Sequence, residues 1–458
     1  MRLIDSSITT PKIAELFSDR SILEAMLAFE VGLARAEASL GVIPLHAVRA
    51  IEKAAGPQLY DADALAADSL RSAIVSIPFV KALTEQVKRI DPAAAGFVHW
   101  GATSQDVADT AIILVLQKSR DILEADLVRL EGALSQLSER HAGTVMLGRT
   151  LLQAALPTTF GLKVAGWLGA IRRNHARLDA AFEESLILQF GGAAGTLASL
   201  GDQGVAVGKA LAAELGIGYA EAPWHTHRDR LAALMCVLGV LAGSLGKMAR
   251  DISLLSQNEI AEVAEPTAGG RGGSSAMPHK QNPVGCTLAL SAAYRVPGLV
   301  STFLSSVVQE HERAVGGWQS EWATISAIVQ AASLAATCMA EVAEGLTVNA
   351  ARMLENIGAT HGTIFAEHAT MLLAKKLGRE AARKIVEQAV QQSIASDRDF
   401  ANVLTEIPEA RNLLDASTVK DLQSPEAYLG VAEQFRRSLV KAKASKHPVR
   451  NHSPKRKR

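Results

Sequence analysis

Apolar positions give the first expectation. From Arg228 onward, Leu231, Leu234, Leu238, Leu241, Leu245, Met248, Ile252 and Leu255 recur in alternating steps of three and four. That spacing holds one stripe on a single helix face over more than three heptads and predicts coiled-coil-like packing. Gly239, Gly243 and Gly246 interrupt the same stretch and predict close approach of neighbouring backbones. After Asp109, Leu116, Leu123, Leu127, Leu130, Leu134 and Leu137 predict a second long helix. Pro157 is read as opening a third, with Val164, Trp167, Ile171, Leu178 and Phe182 on its stripe. Apolar segments at 284–313, where Pro297 predicts a kink, and at 318–347 make five. Helices of about 30 residues are about 45 Å long.

The flanks read differently. ILEAMLAFEVGLARAEASLG, capped by Asp19 or Ser21 and stopped at Gly41, is a shorter helix, and Pro78 bends or starts another. Beyond the long segments, TIFAEHATMLLAKKLG and EAARKIVEQAVQQSI are short and amphipathic. No strand-rich region or repeat stands out. The expected fold is all-α: an N-terminal helical domain at 1–111, a long-helix bundle at 112–355, a C-terminal helical domain at 356–445 and a basic tail at 446–458. Five long helices, apolar on most sides, exceed what one compact monomer buries, so a homo-oligomer is expected.

Charge narrows the partners. The 458 residues carry 47 basic and 47 acidic side chains and no net charge, which gives no general field for nucleic acid or membranes. The distribution is uneven: Lys441, Lys443, Lys446, Arg450, Lys455, Arg456, Lys457 and Arg458 place eight positive charges at the end, leaving −8 on residues 1–440. That end reads as a solvated tail or as an RNA-binding arm. Cys236, Cys286 and Cys338 are odd in number and widely spaced, which points to buried free thiols rather than disulfides or a zinc site. MRLIDSSITT lacks the apolar centre of a signal peptide, and no uninterrupted apolar run long enough to span a membrane occurs. The expectation is a cytoplasmic protein.

Polar side chains gather in the connections. VHWGATSQDVADTA at 98–111 offers His99, Thr103, Ser104, Gln105 and Asp106, either as a helix cap, with Asp106 partnering Thr103 or Ser104, or as a carboxylate site at a helix N-terminus. MLGRTLLQAALP at 146–157 offers Arg149, Thr150 and Gln153; the arginine fork suits a carboxylate or an interhelical ion pair. GGSSAMPHKQNP at 272–283 has neither phosphate-loop nor metal-ligand spacing. It combines mobile glycines with Ser274, Lys280 and Asn282, either a polar linker or a base beside anion anchors.

GSSAMPHKQNP resembles, without a mismatch, the signature Gly-Ser-Ser-x-Met-Pro-x-Lys-x-Asn-Pro of the fumarase/aspartase superfamily. HWGATSQDVADTA, GRTLLQ and AFEVGLARAEASLGVIP resemble its other shared regions, in order. The resemblance implies a three-domain fold, a homotetramer around the five-helix bundle, and active sites shared between three subunits. It implies reversible β-elimination on small polycarboxylates through an aci-carboxylate, without metal or organic cofactor. By the same likeness Ser274 is the base, Lys280 and Asn282 hold the aci-carboxylate, and Met277 joins the substrate-binding set.

One departure is informative. Where the adenylosuccinate lyases read Arg-Thr-His-Gly-Gln, this chain has Arg149-Thr150-Leu151-Leu152-Gln153, and Leu151 transfers no proton. AIVSIPFVKAL also lacks the upstream histidine of those lyases. An amine or hydroxide leaving group needs a proton; a carboxylate, with a pKa of about 4, does not. The Arg-Thr-x-Leu-Gln pattern, WHTHRDR at 224–230 and EHERAVGGWQSEW at 310–322 resemble the lactonizing branch of the superfamily. The expectation is an intramolecular lyase for a tricarboxylate, with Arg149, Lys280 and Arg313 matching the three carboxylates. The alternatives are an adenylosuccinate-type lyase taking its acid from His141, His225 or His279, and a non-catalytic structural tetramer.

Overall fold

The computed structural model describes residues 3–277 and 279–442; the expected tail at 446–458 lies outside them. Helix α1, Asp19–Ser39, is capped by Ser18 rather than by Asp19 or Ser21: the Ser18 hydroxyl accepts the Ser21 amide at 3.3 Å. Among the described residues, five helices of 23 to 37 residues form the centre: α2 (Ser104–Arg140), α3 (Phe160–Ser185), α5 (Asp229–Leu255), α6 (Val284–Ser306) and α7 (Glu321–Gly345). Between α3 and α5 lies the short α4, Gly204–Leu215. Helix α5 packs on α3, α6 and α7, and α2 packs on α3 and α7.

The leucine stripe of α5 is buried from Leu231 to Leu255, each such side chain contributing about 1.5–3 kcal/mol. Gly246 explains how close α6 comes: a Cβ there would lie 2.4 Å from the Ala293 Cβ. Gly239 has the same role more loosely, against Val300, while Gly243 faces open space, contrary to expectation. Helices α5 and Trp318–Gly345 are long and apolar enough to cross a membrane by length and composition alone, yet 56% and 72% of their most apolar windows are buried within the structure.

Two smaller hydrophobic clusters flank the bundle. The N-terminal one joins α1, Leu45–Ala54, Ser76–Ile90 and the first turns of α2. It also takes in α4, although α4 belongs to the 112–355 stretch by sequence. The C-terminal cluster gathers Phe365 through Leu422. The last described helix, Ala432–Lys441, returns to α3, where Arg172 donates to the carbonyls of Leu439, Val440 and Ala442 at 2.7–3.1 Å.

The all-helical reading misses a hairpin. Strand β1, Val145–Thr150, pairs antiparallel with β2, Gln153–Thr159, between α2 and α3. Pro157 lies in β2 opposite Leu147 and does not open α3; a proline is tolerated in a two-stranded ribbon because both strands are edges. Helix α3 starts at Phe160, with the Thr159 hydroxyl accepting the Leu162 amide at 3.1 Å. The hairpin turns on Leu151 and Leu152, both left-handed with φ of 51° and 65°. A two-residue turn matching strand twist needs positive φ at both positions, which is why asparagine and glycine usually fill it.

Candidate active site in two halves

The first half surrounds the N-terminus of α2. The Thr103 backbone N–H donates to the Asp106 carboxylate at 3.0 Å, the returning half of a capping box. Arg313 spans this helix end. Its Nε donates to Gln105 Oε1 at 2.7 Å, Nη1 to Thr103 Oγ1 at 3.0 Å and Nη2 to Ser104 Oγ at 3.4 Å. Four residues named from sequence, some 210 positions apart, thus meet as one cluster. Burial pulls the Arg313 guanidinium below its ordinary pKa, while Asp106 and Asp109 oppose the shift.

His99 stands beside this helix end at φ 57°, with Nδ1 2.6 Å from Glu30 Oε1. Burial alone would lower its pKa; the Glu30 carboxylate, with Asp106 adding to it, outweighs that and raises the pKa above the ordinary histidine value.

Sequence reasoning took Asp106 only as a cap partner and His225 only as a candidate acid, and missed the network that supports the cluster. Asp106 accepts from the Gly191 and Gly192 amides at 3.0 and 2.9 Å, and His225 Nε2 lies 2.8 Å from it. Asp109 accepts from Arg228 at 2.8 and 3.0 Å, from Trp318 Nε1 at 2.8 Å and from Gln105 at 3.1 Å. Arg228, 1% exposed, also pairs with buried Glu321 and stacks 4.7 Å over the Trp224 ring. Burial disfavours its charge, but Asp109 and Glu321 overcome that and raise its pKa. The one trace in the sequence is that Arg228 and Glu321 lie near tryptophans, in WHTHRDR and WQSEW.

The second half lies beyond the other end of α5. Ser274 Oγ accepts backbone N–H groups from Met277 at 3.1 Å and Ala276 at 3.4 Å. Asn282 donates through Nδ2 to the Gly272 carbonyl at 3.1 Å, and its backbone N–H reaches the same oxygen at 2.8 Å. Gly272 is required there: it has φ +78°, and a Cβ would lie 2.6 Å from the Asn282 carbonyl oxygen. Lys280 and Met277 are exposed. The next helix end is already occupied, since Glu265 accepts the Gly285 and Cys286 amides at 2.9 and 2.8 Å. A cavity beside the loop is lined by Glu265, Arg271, His279 and Asn282.

Arg149 lies at this end too, and the structure gives its fork to buried Glu262, at 2.7 and 3.0 Å. Thr150 and Gln153 face each other, exposed, at the end of the hairpin. His141 contacts the Thr144 hydroxyl at 3.1 Å, and burial lowers its pKa, with Arg140 adding to the effect. Among the described residues no group of three or more His, Cys, Asp or Glu is arranged to hold a metal ion.

The halves do not meet within one chain. Arg228 precedes α5 and belongs to the first; Glu262, bonded to the Leu255 carbonyl, begins the second. The 27 residues of α5 put about 40 Å between them.

With this geometry, the comparisons with known proteins are specific. The family described as Lyase matches residues 5–298, and the one described as Adenylosuccinate lyase C-terminus matches 362–438. A 3-carboxy-cis,cis-muconate cycloisomerase from Pseudomonas aeruginosa is 46% identical, over 95% of this chain and 95% of that protein. One from Bradyrhizobium diazoefficiens is also 46% identical, over 91% and 92%. The crystal structure of 3-carboxy-cis,cis-muconate lactonizing enzyme from Pseudomonas putida superposes with a TM-score of 0.90 at 45% identity, covering 96% of this chain and 98% of that one.

Proposed function

This chain belongs to the lyase family of the fumarase/aspartase superfamily, and from that premise we propose that it interconverts 3-carboxy-cis,cis-muconate and 4-carboxymuconolactone. In the lactonizing direction a carboxylate oxygen of the substrate bonds to one alkene carbon. The alkene pair moves into the adjacent carboxyl group as an aci-carboxylate, which collapses as the Ser274 hydroxyl delivers its proton to carbon. In reverse, Ser274 removes that proton. The two backbone N–H groups on Ser274 Oγ support this role, because they stabilise the oxygen once its proton has left. Lys280 and the second Nδ2 hydrogen of Asn282 hold the aci-carboxylate. Arg313, with Thr103, Ser104, Gln105 and His99, holds the remaining carboxylates. Arg149, committed to Glu262, positions the hairpin that presents Thr150 and Gln153.

The observation that favours lactonization over amine elimination is the hairpin turn, where Leu151 and Leu152 offer no proton to a leaving group. The distance between the half-sites supports a homotetramer in which different copies supply Ser274 and Arg313. We place the activity in the cytoplasm, in protocatechuate breakdown. One assay tests the reaction: purified protein with 3-carboxy-cis,cis-muconate should bleach the diene absorbance. No bleaching, with turnover of a succinyl nucleotide instead, would establish the adenylosuccinate-type alternative. No turnover of any polycarboxylate would favour the structural one.

A further inference from the structure

The hairpin turn combines two unfavourable features. Leu151 and Leu152 are 97% and 75% exposed, and both hold a left-handed backbone that a branched apolar side chain rarely adopts. An Asn-Gly pair would remove both at once. Strain of this kind persists where the surroundings require the residue itself. Leucine supplies an apolar surface with neither proton donor nor acceptor. The strands leading into the turn carry Arg149, Thr150 and Gln153, while the Arg313 half-site of the same chain is a bundle length away.

We propose that the Leu151–Leu152 turn seats against the Arg313 half-site of a second copy of this chain and keeps water off the reacting alkene. This rests on the lactonizing reading and on sites shared between copies. Ring closure turns the C=C π bond into one C–O and one C–H bond and gains no oxygen, since the nucleophile is the substrate's own carboxylate. A water molecule in its place forms the C–O bond from its own oxygen and passes a proton to a base. It leaves a hydroxy acid whose new oxygen comes from solvent, and that label survives if the ring closes later. Leucine side chains can neither orient that water nor accept its proton.

The test compares wild type with the double variant Leu151→Asn, Leu152→Gly, as assembled proteins in water labelled with heavy oxygen. Wild type should give unlabelled lactone. The double variant should melt higher, because its residues suit the turn, lose about tenfold in kcat/KM, and give product carrying solvent oxygen. Leu151→Ala, which removes only side-chain bulk, should also admit label and serves if the double variant does not assemble. Unchanged kcat/KM without label overturns the proposal, and so does a rate loss without label. Failure of wild type to consume the substrate refutes the lactonizing reading instead.

Discussion

The two half-sites are built on opposite principles. Around Arg313 the supporting groups are buried and bonded: Gln105, Asp106, Asp109 and Arg228 are each at most 2% exposed. Around Ser274, Lys280 is exposed and, among the described residues, the serine oxygen is held by amides of its own loop. The first end can bind fixed charges without rearranging, because its partners already hold it in place. The second can adjust as a proton moves. On the proposed reading, a site drawn from both would place a rigid charge clamp against a compliant base, and would need several chains to bring them together.

The strongest test of that contrast disables each half separately. Ser274→Ala should lose about 10²–10⁴ in kcat with folding intact, as expected for removal of a positioned proton-transfer group. Arg313→Ala should lose activity through kcat/KM, and Arg313→Lys should not restore it, since an ammonium cannot reproduce three directed N–H bonds. Mixing the two inactive variants under subunit exchange should recover up to about a quarter of wild-type activity, the fraction of sites that draw both intact residues. No recovery breaks the idea that the halves come from different chains.

A smaller effect probes the rigid end alone. Arg228→Ala leaves Asp109 and Glu321 buried without their counter-ion and should cost about 3–5 kcal/mol in denaturant unfolding. A loss below about 1 kcal/mol would mean that the network is replaceable by water.

The smallest effect is set by pH. Glu37, on α1 two turns beyond Glu30, is buried with neither carboxylate oxygen bonded. Burial, aided by the Glu30 charge, pushes its pKa up to about 9 from 4.5. A raised folded-state value means stability is fully present below pH 4.5 and falls as pH rises toward 9. Glu37→Gln should remove that slope and gain up to about 3 kcal/mol at pH 7, at 1.4 kcal/mol per unit. Parallel unfolding curves for variant and wild type between pH 5 and 9 would show that Glu37 is not held protonated.

Much of this was legible in order but not in space. The heptad at 231–255 and its companion stripes marked the five long helices, because burial on one face leaves a periodic trace. Thr103, Ser104 and Gln105 could be read from their place at the start of α2, and Arg313 from its likeness to relatives. Their meeting could not, since it depends on how two segments some 210 positions apart fold together. The hairpin was hidden because its turn, Leu151-Leu152, lacks the usual Asn-Gly signal and β2 contains Pro157, which reads as a helix start. Asp109, Arg228 and Glu321 were hidden because a charge buried by another charge looks, in sequence, like any surface charge.

The length of α5 has a consequence for how this chain can change. The spacing between the two halves is a count of turns in one unbroken rod that three neighbouring rods touch. Loops can gain or lose residues at little cost. A single residue inserted into α5 would rotate everything after it by about 100° and advance it by about 1.5 Å, with α3, α6 and α7 out of step. Insertions and deletions should therefore collect in the connections and the flanking helices, while the long helices hold their residue counts fixed.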